Sequence, residues 1–476
     1  MQTTASQIRI GVDVGGTFTD LVLHDPVRGR VRTGKLLTTP DDPSRAIIDG
    51  VRRLLREADV APSEVHSIVH GTTLITNTII ERTGATVGLL TTAGFRDSIE
   101  IGRETRYDLY DLFLDPSVPL VPRYRRQEIP GRVSAGGEEL VPLDEAAVAA
   151  AARHLVEDCG IEALAIAFMH AYRDPSHEQR AAAVVRALYP ALPLSLSAEV
   201  APEIREFERT STTCANAYVQ PLMRSYLDRL EHALADIGFN GRLYVMLSGG
   251  GIATVREARE FPIRLIESGP AAGAMAAAFL ARLGGLDRVL SFDMGGTTAK
   301  LCLVEDGAPD HKFDFEAGRV RRFQKGSGLP LKVSVVDMIE IGAGGGSLAR
   351  VDASTGLLKV GPRSAGAVPG PVCYGRGGTE PTVTDADLVL GRLDPGYFLG
   401  GEMALDLERV RGAIATTISP ATGLAADQAA LGVQRIVDET MAAAARLHFA
   451  EKGRDPRGYT MIAFGGAGPE IGRAHV

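Results

Sequence analysis

Residues 10–25, IGVDVGGTFTDLVLHD, and residues 290–305, LSFDMGGTTAKLCLVE, decide how this chain is read. Aligned at an offset of 280, they share Asp13/Asp293, Gly15/Gly295, Gly16/Gly296, Thr17/Thr297, Leu21/Leu301 and Leu23/Leu303. Apolar residues alternate up to each Asp (Ile8, Ile10, Val12 and Val14 in the first copy), the period-2 pattern of a half-buried strand. A Gly-Gly-Thr turn and a second apolar strand follow. Each copy therefore predicts a β-hairpin whose glycines can take φ > 0 and let a ligand approach the backbone. The same hairpin written twice points to an internally duplicated fold.

Outward from the hairpins, strands and helices alternate. Asp42-Pro43 predicts the cap of a helix carrying Ile47, Ile48, Val51, Leu54 and Leu55. VHSIVH (65–70), TVGLLT (86–91) and EALAIAF (162–168) read as strands, with helices near 144–157 and 176–188. This rhythm marks a layered α/β fold. The Arg-, Tyr- and Pro-rich segment 97–135 breaks it and reads as an insertion, while PALPLSLSAEV (190–200) reads as a boundary. Residues 427–452 predict an amphipathic helix with Leu431, Ile436, Val437, Met441, Ala444 and Leu447 on its buried face and Gly453 as its stop. The strand TMIAF (460–464) and a third glycine turn, Gly465-Gly466-Ala467-Gly468-Pro469, follow.

Composition excludes several classes. Of 476 residues, 45% are hydrophobic and 23% charged, an ordinary globular balance. Lys+Arg 51 against Asp+Glu 59 gives −8, so there is no broad basic footprint for nucleic acid or an anionic membrane. Glycine, at 54 residues, is the outlier and implies many close backbone approaches. The four cysteines (Cys159, Cys214, Cys302, Cys373) form no C-x-x-C pair and read as inert thiols of a reduced, cytoplasmic protein. The most apolar helical run, 271–280, is far shorter than the ~20 residues of a membrane span.

A strand ending in Asp, followed by Gly-Gly-Thr, suits a magnesium–nucleotide site. The turn N–H groups form an anion nest, and the carboxylate holds Mg²⁺ directly or through water. Two such hairpins face to face would clamp the phosphates of ATP from both sides. Gly15, Gly16, Thr17, Gly295, Gly296 and Thr297 are thus expected on the phosphates, and Asp13 and Asp293 on the metal. No G-x-x-x-x-G-K-S/T occurs, which excludes a P-loop. The pattern predicts an α/β fold with a duplicated actin-like (ribonuclease-H-like, sugar-kinase or chaperone-type) ATPase core. Lys300 reads as a solvent-facing strand lysine, or, pointing inward, as a phosphate contact. ESGPAAG (267–273) reads equally as an anion-binding helix start or a tight packing turn.

The chain resembles the hydantoinase A/5-oxoprolinase family, which includes the A-type component of N-methylhydantoinase and subunits of acetone and acetophenone carboxylases. The matching stretches include GVDVGGTFTD (11–20), HGTTLITNTIIER (70–82), GRETRYDLYDL (102–112), FMHAYRDPSHE (168–178), SGPAAG (268–273), FDMGGTTAK (292–300), IGAGGGS (341–347) and FGGAGP (464–469). The resemblance implies an N-terminal family domain over 1–190 and a second, incomplete one over 191–470. It also implies ATP-dependent phosphorylation of a lactam, hydantoin or ketone oxygen, with Gly465 and Gly466 against the adenosine. An imidate phosphate made from a cyclic amide has a good leaving group, and catalysis of the transfer is mainly positioning and charge neutralisation. On the substrate side the candidates are His70, as a catalytic or a structural histidine, then Thr72, Thr73, Arg103, Arg106 and Asp108. The chain has no H-E-x-x-H pair, G-x-S-x-G elbow or Cys–His signature, so a hydantoinase B-type subunit in a hetero-oligomer is the expected partner. Two other classes stay open: a ketone carboxylase subunit making an enol phosphate, and a non-catalytic ATP-driven switch. Residues 470–476 match a reading frame of a common sequencing adapter. A C-terminally truncated core with a non-native tail at 471–476 is therefore the expectation.

Overall fold

The computed structural model describes residues 7–16, 18–39, 42–103, 106–114, 117–319 and 325–468. The expected tail lies outside them. Near the N-terminus β1 (Ile8–Val14), β2 (Phe18–Asp25) and β3 (Arg30–Leu37) form an antiparallel meander. The alternation works as anticipated: Ile8, Ile10, Val12 and Val14 all point into the core. Helix α1 (Pro43–Ala58) covers this sheet, with the Asp42 carboxylate accepting from the Ser44 N–H at 3.2 Å and Pro43 where no N–H is missed. Next come β4 (Val65–Thr72), parallel to β1, and the short helix α2 (Leu74–Glu81).

Beside this layer lies an all-parallel sheet made of β5 (Val87–Thr92), β6 (Arg126–Ile129), β7 (Ala163–Ala167) and β8 (Leu194–Leu196), in the order β8-β7-β5-β6. Every residue of β5 and β7 is buried, as expected of strands covered on both faces. Helices α3 (Glu145–Arg153) and α4 (Ser176–Leu188) pack on one side. The segment 97–135, which breaks the sequence rhythm, supplies the edge strand β6.

On the other side runs α5 (Glu206–Asp236), 31 residues long, which the periodicity does not reveal. Its first half is buried all round and holds Thr210, Ser211, Thr212, Thr213, Asn216 and Gln220, so the apolar stripe is confined to the second half, Met223, Tyr226, Leu227, Leu230 and Leu234. Thr212 and Thr213 donate back to the carbonyls of Glu208 and Arg209 at 2.6 and 2.7 Å. The Asn216 amide bonds to Ser195 Oγ at 2.9 Å and the Glu260 carbonyl at 3.0 Å. The chain then returns to the first sheet through β9 (Arg242–Met246), parallel to β4, and β10 (Ile252–Thr254). That sheet therefore takes two of its six strands from beyond residue 200: the order is β10-β9-β4-β1-β2-β3.

Helix α6 (Ser268–Gly284) leads into the second hairpin, β11 (Arg288–Met294) and β12 (Ala299–Glu305). Short strands β13 (Ala308–Pro309) and β14 (Met338–Ile341) pair with β12, and the last strand β15 (Thr460–Phe464) runs parallel to β11. A separate core cluster fills this half, including residues of α7 (Val383–Val389) and α8 (Ala426–Glu451). The buried face of α8 is Ala429, Val433, Val437, Met441, Ala444, Ala445 and Phe449. Leu431 and Leu447, expected inside, are 37% and 40% exposed. Small alanines let α8 approach its neighbours closely, and this rotates the contact away from the larger leucines. Among the described residues no helix is long and apolar enough to cross a membrane.

Candidate active site

The two hairpins have the same backbone. In the first, Asp13 pairs with Asp20 and Val14 with Thr19; in the second, Asp293 pairs with Lys300 and Met294 with Ala299. The Gly15 N–H donates to the Phe18 carbonyl at 2.9 Å, and the Gly295 N–H to the Thr298 carbonyl at 2.9 Å. Gly15, Gly16 and Gly295 are not in the left-handed region, contrary to the φ > 0 that glycine makes available. A Cβ on Gly16 would meet nothing within 4 Å, and ones on Gly15 and Gly295 only the Phe18 and Thr298 carbonyls at 3.3 and 3.6 Å, so this face of the turns is open backbone and the chain's own packing does not demand glycine there. Thr17 lies outside the described residues.

Each Asp rests against glycine. A Cβ on Gly71, at the end of β4, would stand 3.0 Å from Asp13 Oδ1, and one on Gly269, in the first turn of α6, 2.8 Å from the same oxygen. Across the cleft, a Cβ on Gly465 would stand 2.6 Å from Asp293 Oδ1 and 2.3 Å from the Met294 carbonyl; its φ of +104° suits only glycine. Gly465, expected beside the adenosine, stands directly against the Asp293 carboxylate. Gly466 lies 3.9 Å from Phe18 and 4.0 Å from Lys35 Nζ, measured from an added Cβ, so the third glycine turn reaches the first hairpin.

Electrostatics mark the centre of this cleft. Water reaches Asp13 at its floor, yet protein surrounds the carboxyl closely enough that burial, with repulsion from Asp20, pushes it up to about 6. Burial and the charge of Asp13 push Asp293 up to about 6 as well; Lys300 and Lys35 oppose both shifts. Two enclosed carboxyls held above their ordinary pKa, one of them raised by the charge of the other, favour a cation beside them. Their oxygen donors, beside the open backbone of the turns, fit Mg²⁺ carrying phosphate and water ligands. Among the described residues no three acidic, histidine or cysteine side chains gather into a fuller metal cage.

The loop after β14 backs the second turn. The Gly345 and Gly346 N–H groups donate to the Gly295 and Gly296 carbonyls at 3.1 and 2.6 Å. A Cβ on Gly344 would fall 2.7 Å from the Thr297 carbonyl carbon, which fixes Thr297 at the rim. Beside it opens a pocket lined by Phe18, Gly296, Gly346, Tyr374, Phe398 and Gly466. Phe398 touches both other rings, with centroids 6.5 Å from Phe18 and 5.5 Å from Tyr374. The signal for this pocket lies in the sequence as IGAGGGS and CYGRGG, but its lining needs the tertiary fold.

The substrate-side candidates scatter. His70 is fully buried, its Nε2 2.7 Å from the Tyr226 hydroxyl of α5, and burial pushes it down to about 4, so it is a neutral core histidine. Thr72 is tied to Ser268: its N–H donates to Ser268 Oγ at 3.1 Å and its carbonyl accepts from that hydroxyl at 3.0 Å. Thr73 caps α2 and donates to the Val14 carbonyl at 3.3 Å. These two threonines join β1, β4 and α6 just behind Asp13. Arg103 pairs with Glu208 of α5, Asp108 accepts from the Tyr110 N–H at 3.1 Å, and Arg106 is exposed. The fold does not bring these three together around the cleft carboxylates. Cys214 and Cys302 are buried, which pushes both thiols up to about 12, in keeping with inert cysteines.

Lys300, expected mainly at the solvent, points inward: it pairs with Glu267, the residue before α6, and its side chain is 11% exposed. As the cross-strand neighbour of Asp293 it shares that residue's face of the sheet, which α6 covers.

A duplicated Asp–Gly-Gly hairpin, one copy in each of two mixed sheets and facing across a cleft, is an actin-like ATPase core. This chain belongs to the hydantoinase/oxoprolinase family: the model of the family's N-terminal region matches residues 9–189 and the hydantoinase/oxoprolinase model residues 209–475. It is 40% identical over 467 residues to the caprolactamase alpha subunit of Pseudomonas jessenii, covering 97% of this chain and 65% of that one. It is 34% identical to the acetophenone carboxylase gamma subunit of Aromatoleum aromaticum, covering 97% and 63%. Among solved structures, nucleotide-free acetone carboxylase superposes with a TM-score of 0.84 at 29% identity, covering 98% of this chain and 66% of that one. The ATP-dependent caprolactamase of P. jessenii gives 0.81 at 38%, covering 98% and 67%. The chain thus spans about two thirds of the length of these relatives.

Proposed function

We propose that this protein binds Mg²⁺–ATP between its two hairpins and phosphorylates the carbonyl oxygen of a cyclic amide, activating the ring for opening. The observation that carries this reading is the pair of carboxylates, Asp13 and Asp293, each seated on glycine and each pushed up to about 6 by burial, with the charge of Asp13 adding to the rise of Asp293. In this reading the turns at Gly15-Gly16-Thr17 and Gly295-Gly296-Thr297 direct backbone N–H groups at the phosphates. Asp13 and Asp293 hold Mg²⁺, which neutralises charge on the bridging phosphate oxygens. The rings of Phe18, Tyr374 and Phe398, with Gly466, take the nucleoside. Thr72 and Thr73 brace the wall behind Asp13, and His70 supports the end of β4 from the core side.

Phosphorylation makes the amide carbon electrophilic; water must still reach it, and the activated ring must be kept from bulk solvent. A B-type partner subunit supplies that step. Its contact is the segment 97–135, where Leu109, Tyr110, Leu112 and Phe113 are 72%, 93%, 80% and 90% exposed. A run of large apolar side chains held out in this way suits an interface.

The kinship with acetone and acetophenone carboxylase subunits supports a second reading, in which a ketone is the phosphate acceptor and an enol phosphate the product. Phosphate release from Mg²⁺–ATP, measured on the full chain with panels of lactams, hydantoins, 5-oxoproline and small ketones, separates the two. Stimulation by cyclic amides supports the first reading and stimulation by ketones the second. Release that responds to neither refutes both and leaves an ATP-driven switch.

A further inference from the structure

Lys300 and Glu267 form a buried ion pair that holding the phosphates by turn N–H groups does not require. Lys300 stands on β12 directly opposite Asp293 of β11 on one side and Glu340 of β14 on the other. Its ammonium bonds to the Glu267 carboxylate, while Glu340 lies at 3.7 Å. The Lys300 and Glu267 side chains are 11% and 7% exposed.

Glu267 is an odd residue for its place. Its backbone is left-handed, with φ +60°, which costs a non-glycine residue ~1 kcal/mol or more. Its N–H donates to Thr76 Oγ1 at 3.2 Å. Two residues later Gly269 lies against Asp13, so the same turn that presents Glu267 to the second hairpin closes on the first. Burying an ammonium and a carboxylate is expensive, and apolar side chains of similar size would join β12 to α6 at least as well. The charges therefore need a reason other than packing.

The cleft provides one. An ammonium has three N–H donors, and among the described residues Glu267 is its one hydrogen-bond acceptor. The charge of Lys300 acts on the carboxylates of both walls, Asp13 and Asp293. We propose that Lys300 grips the terminal phosphate of ATP through its unspent donors, and that Glu267 is the positioning residue that holds the ammonium at the seam between the hairpins. This rests on the nucleotide reading above and deepens it: it names the group that separates triphosphate from diphosphate.

The test measures affinity. Titration calorimetry of the full chain with Mg²⁺–ADP and with the non-hydrolysable imido analogue of Mg²⁺–ATP gives a triphosphate-over-diphosphate ratio. Lys300→Met is expected to lower that ratio about tenfold or more, as loss of a charge-assisted bond would. Lys300→Arg should recover part of it. Glu267→Gln should lower the ratio less, since the ammonium remains but is no longer held. The double variant Lys300→Met/Glu267→Leu removes both buried charges. It should melt no lower than Lys300→Met while still failing to discriminate. Equal losses toward both nucleotides, or an unchanged ratio in Lys300→Met, would overturn the proposal and leave the pair a structural clamp. A wild-type chain that binds neither nucleotide would overturn the nucleotide reading itself, and this proposal with it.

Discussion

The two hairpins agree in backbone and differ in the charges beside it. Across β1, β2 and β3 the row from the cleft runs Asp13, Asp20, Lys35; across β11, β12 and β14 it runs Asp293, Lys300, Glu340. Each row carries two acids and one base, but the base has moved one strand inward. In the first half Lys35 bonds to Asp20 at 2.7 Å in a pair that is 33% and 52% exposed. In the second, Lys300 is sealed against Glu267. Their surroundings follow the same division: the Gly15-Gly16 turn leaves bare backbone beside open space, while the Gly295-Gly296 turn is backed by Gly344–Gly346. A duplicated fold has thus kept the turn and divided its surroundings, with one wall open and the other fixed.

If that division leaves the metal to both walls equally, the largest effects must be symmetrical. Asp13→Ala and Asp293→Ala should each lower ATP turnover by ~10³-fold or more, as loss of a preorganised charge does. Steady-state phosphate release is the measurement. Normal turnover in either variant would reduce the duplicated motif to a structural repeat.

The glycines that seat the two carboxylates should not be equal. Gly465 is left-handed and a Cβ there meets the Met294 carbonyl at 2.3 Å; Gly71 has no such backbone requirement and its nearest added contact is 3.0 Å. Gly465→Ala is expected to cost ~1–3 kcal/mol of stability and to displace Asp293. Gly71→Ala should cost less. Denaturant unfolding of the two variants decides it, and equal costs would mean that the β15 turn can relax where this geometry says it cannot.

This asymmetry also shows what a sequence can disclose. Both hairpins were legible because strand, Asp and Gly-Gly lie within a few residues of one another, and their periodicity is local. The seats of Asp13 were not, since Gly71 and Gly269 reach it only through the topology that sets β4 beside β1 and starts α6 at the cleft. Helix α5 escaped because its first half is buried all round yet largely polar, which masks the apolar stripe of Met223, Tyr226, Leu227, Leu230 and Leu234 that follows. The inward turn of Lys300 was hidden because a strand lysine says nothing about what covers it. Composition identified the insertion at 97–135 as a break in rhythm, but not that Arg126–Ile129 would join a sheet.

A further contrast lies just before each seating glycine, where the first half has His70 and the second Phe464. Only the histidine titrates. Burial holds its folded pKa near 4, below the ordinary 6.5, so the unfolded chain takes up a proton that the folded chain refuses. His70 thus leaves stability intact above pH 6.5 and withdraws it as pH falls toward 4, by ~3 kcal/mol for the full shift. His70→Gln is expected to lower stability at pH 7 through its altered contact with Tyr226, and to flatten the decline between pH 6.5 and 4. An unchanged slope would show that the imidazole is charged in the fold.

The smallest effect should fall on the exposed counterpart of the buried pair. Lys35 bonds to Asp20 and sits 4.6 Å above the Phe18 ring, both near the surface. An exposed ion pair contributes ~0–1 kcal/mol, and an exposed cation over a ring ~0.5–1 kcal/mol. Lys35→Met retains the chain that covers Phe18, so its unfolding free energy should change by less than ~1 kcal/mol, and less still at high salt, where screening has already weakened the pair. Asp13 would respond further: without the Lys35 charge its pKa should rise above about 6, which NMR titration of the carboxyl carbon can follow. A stability loss as large as that of Lys300→Met would erase the distinction between the open and the sealed wall.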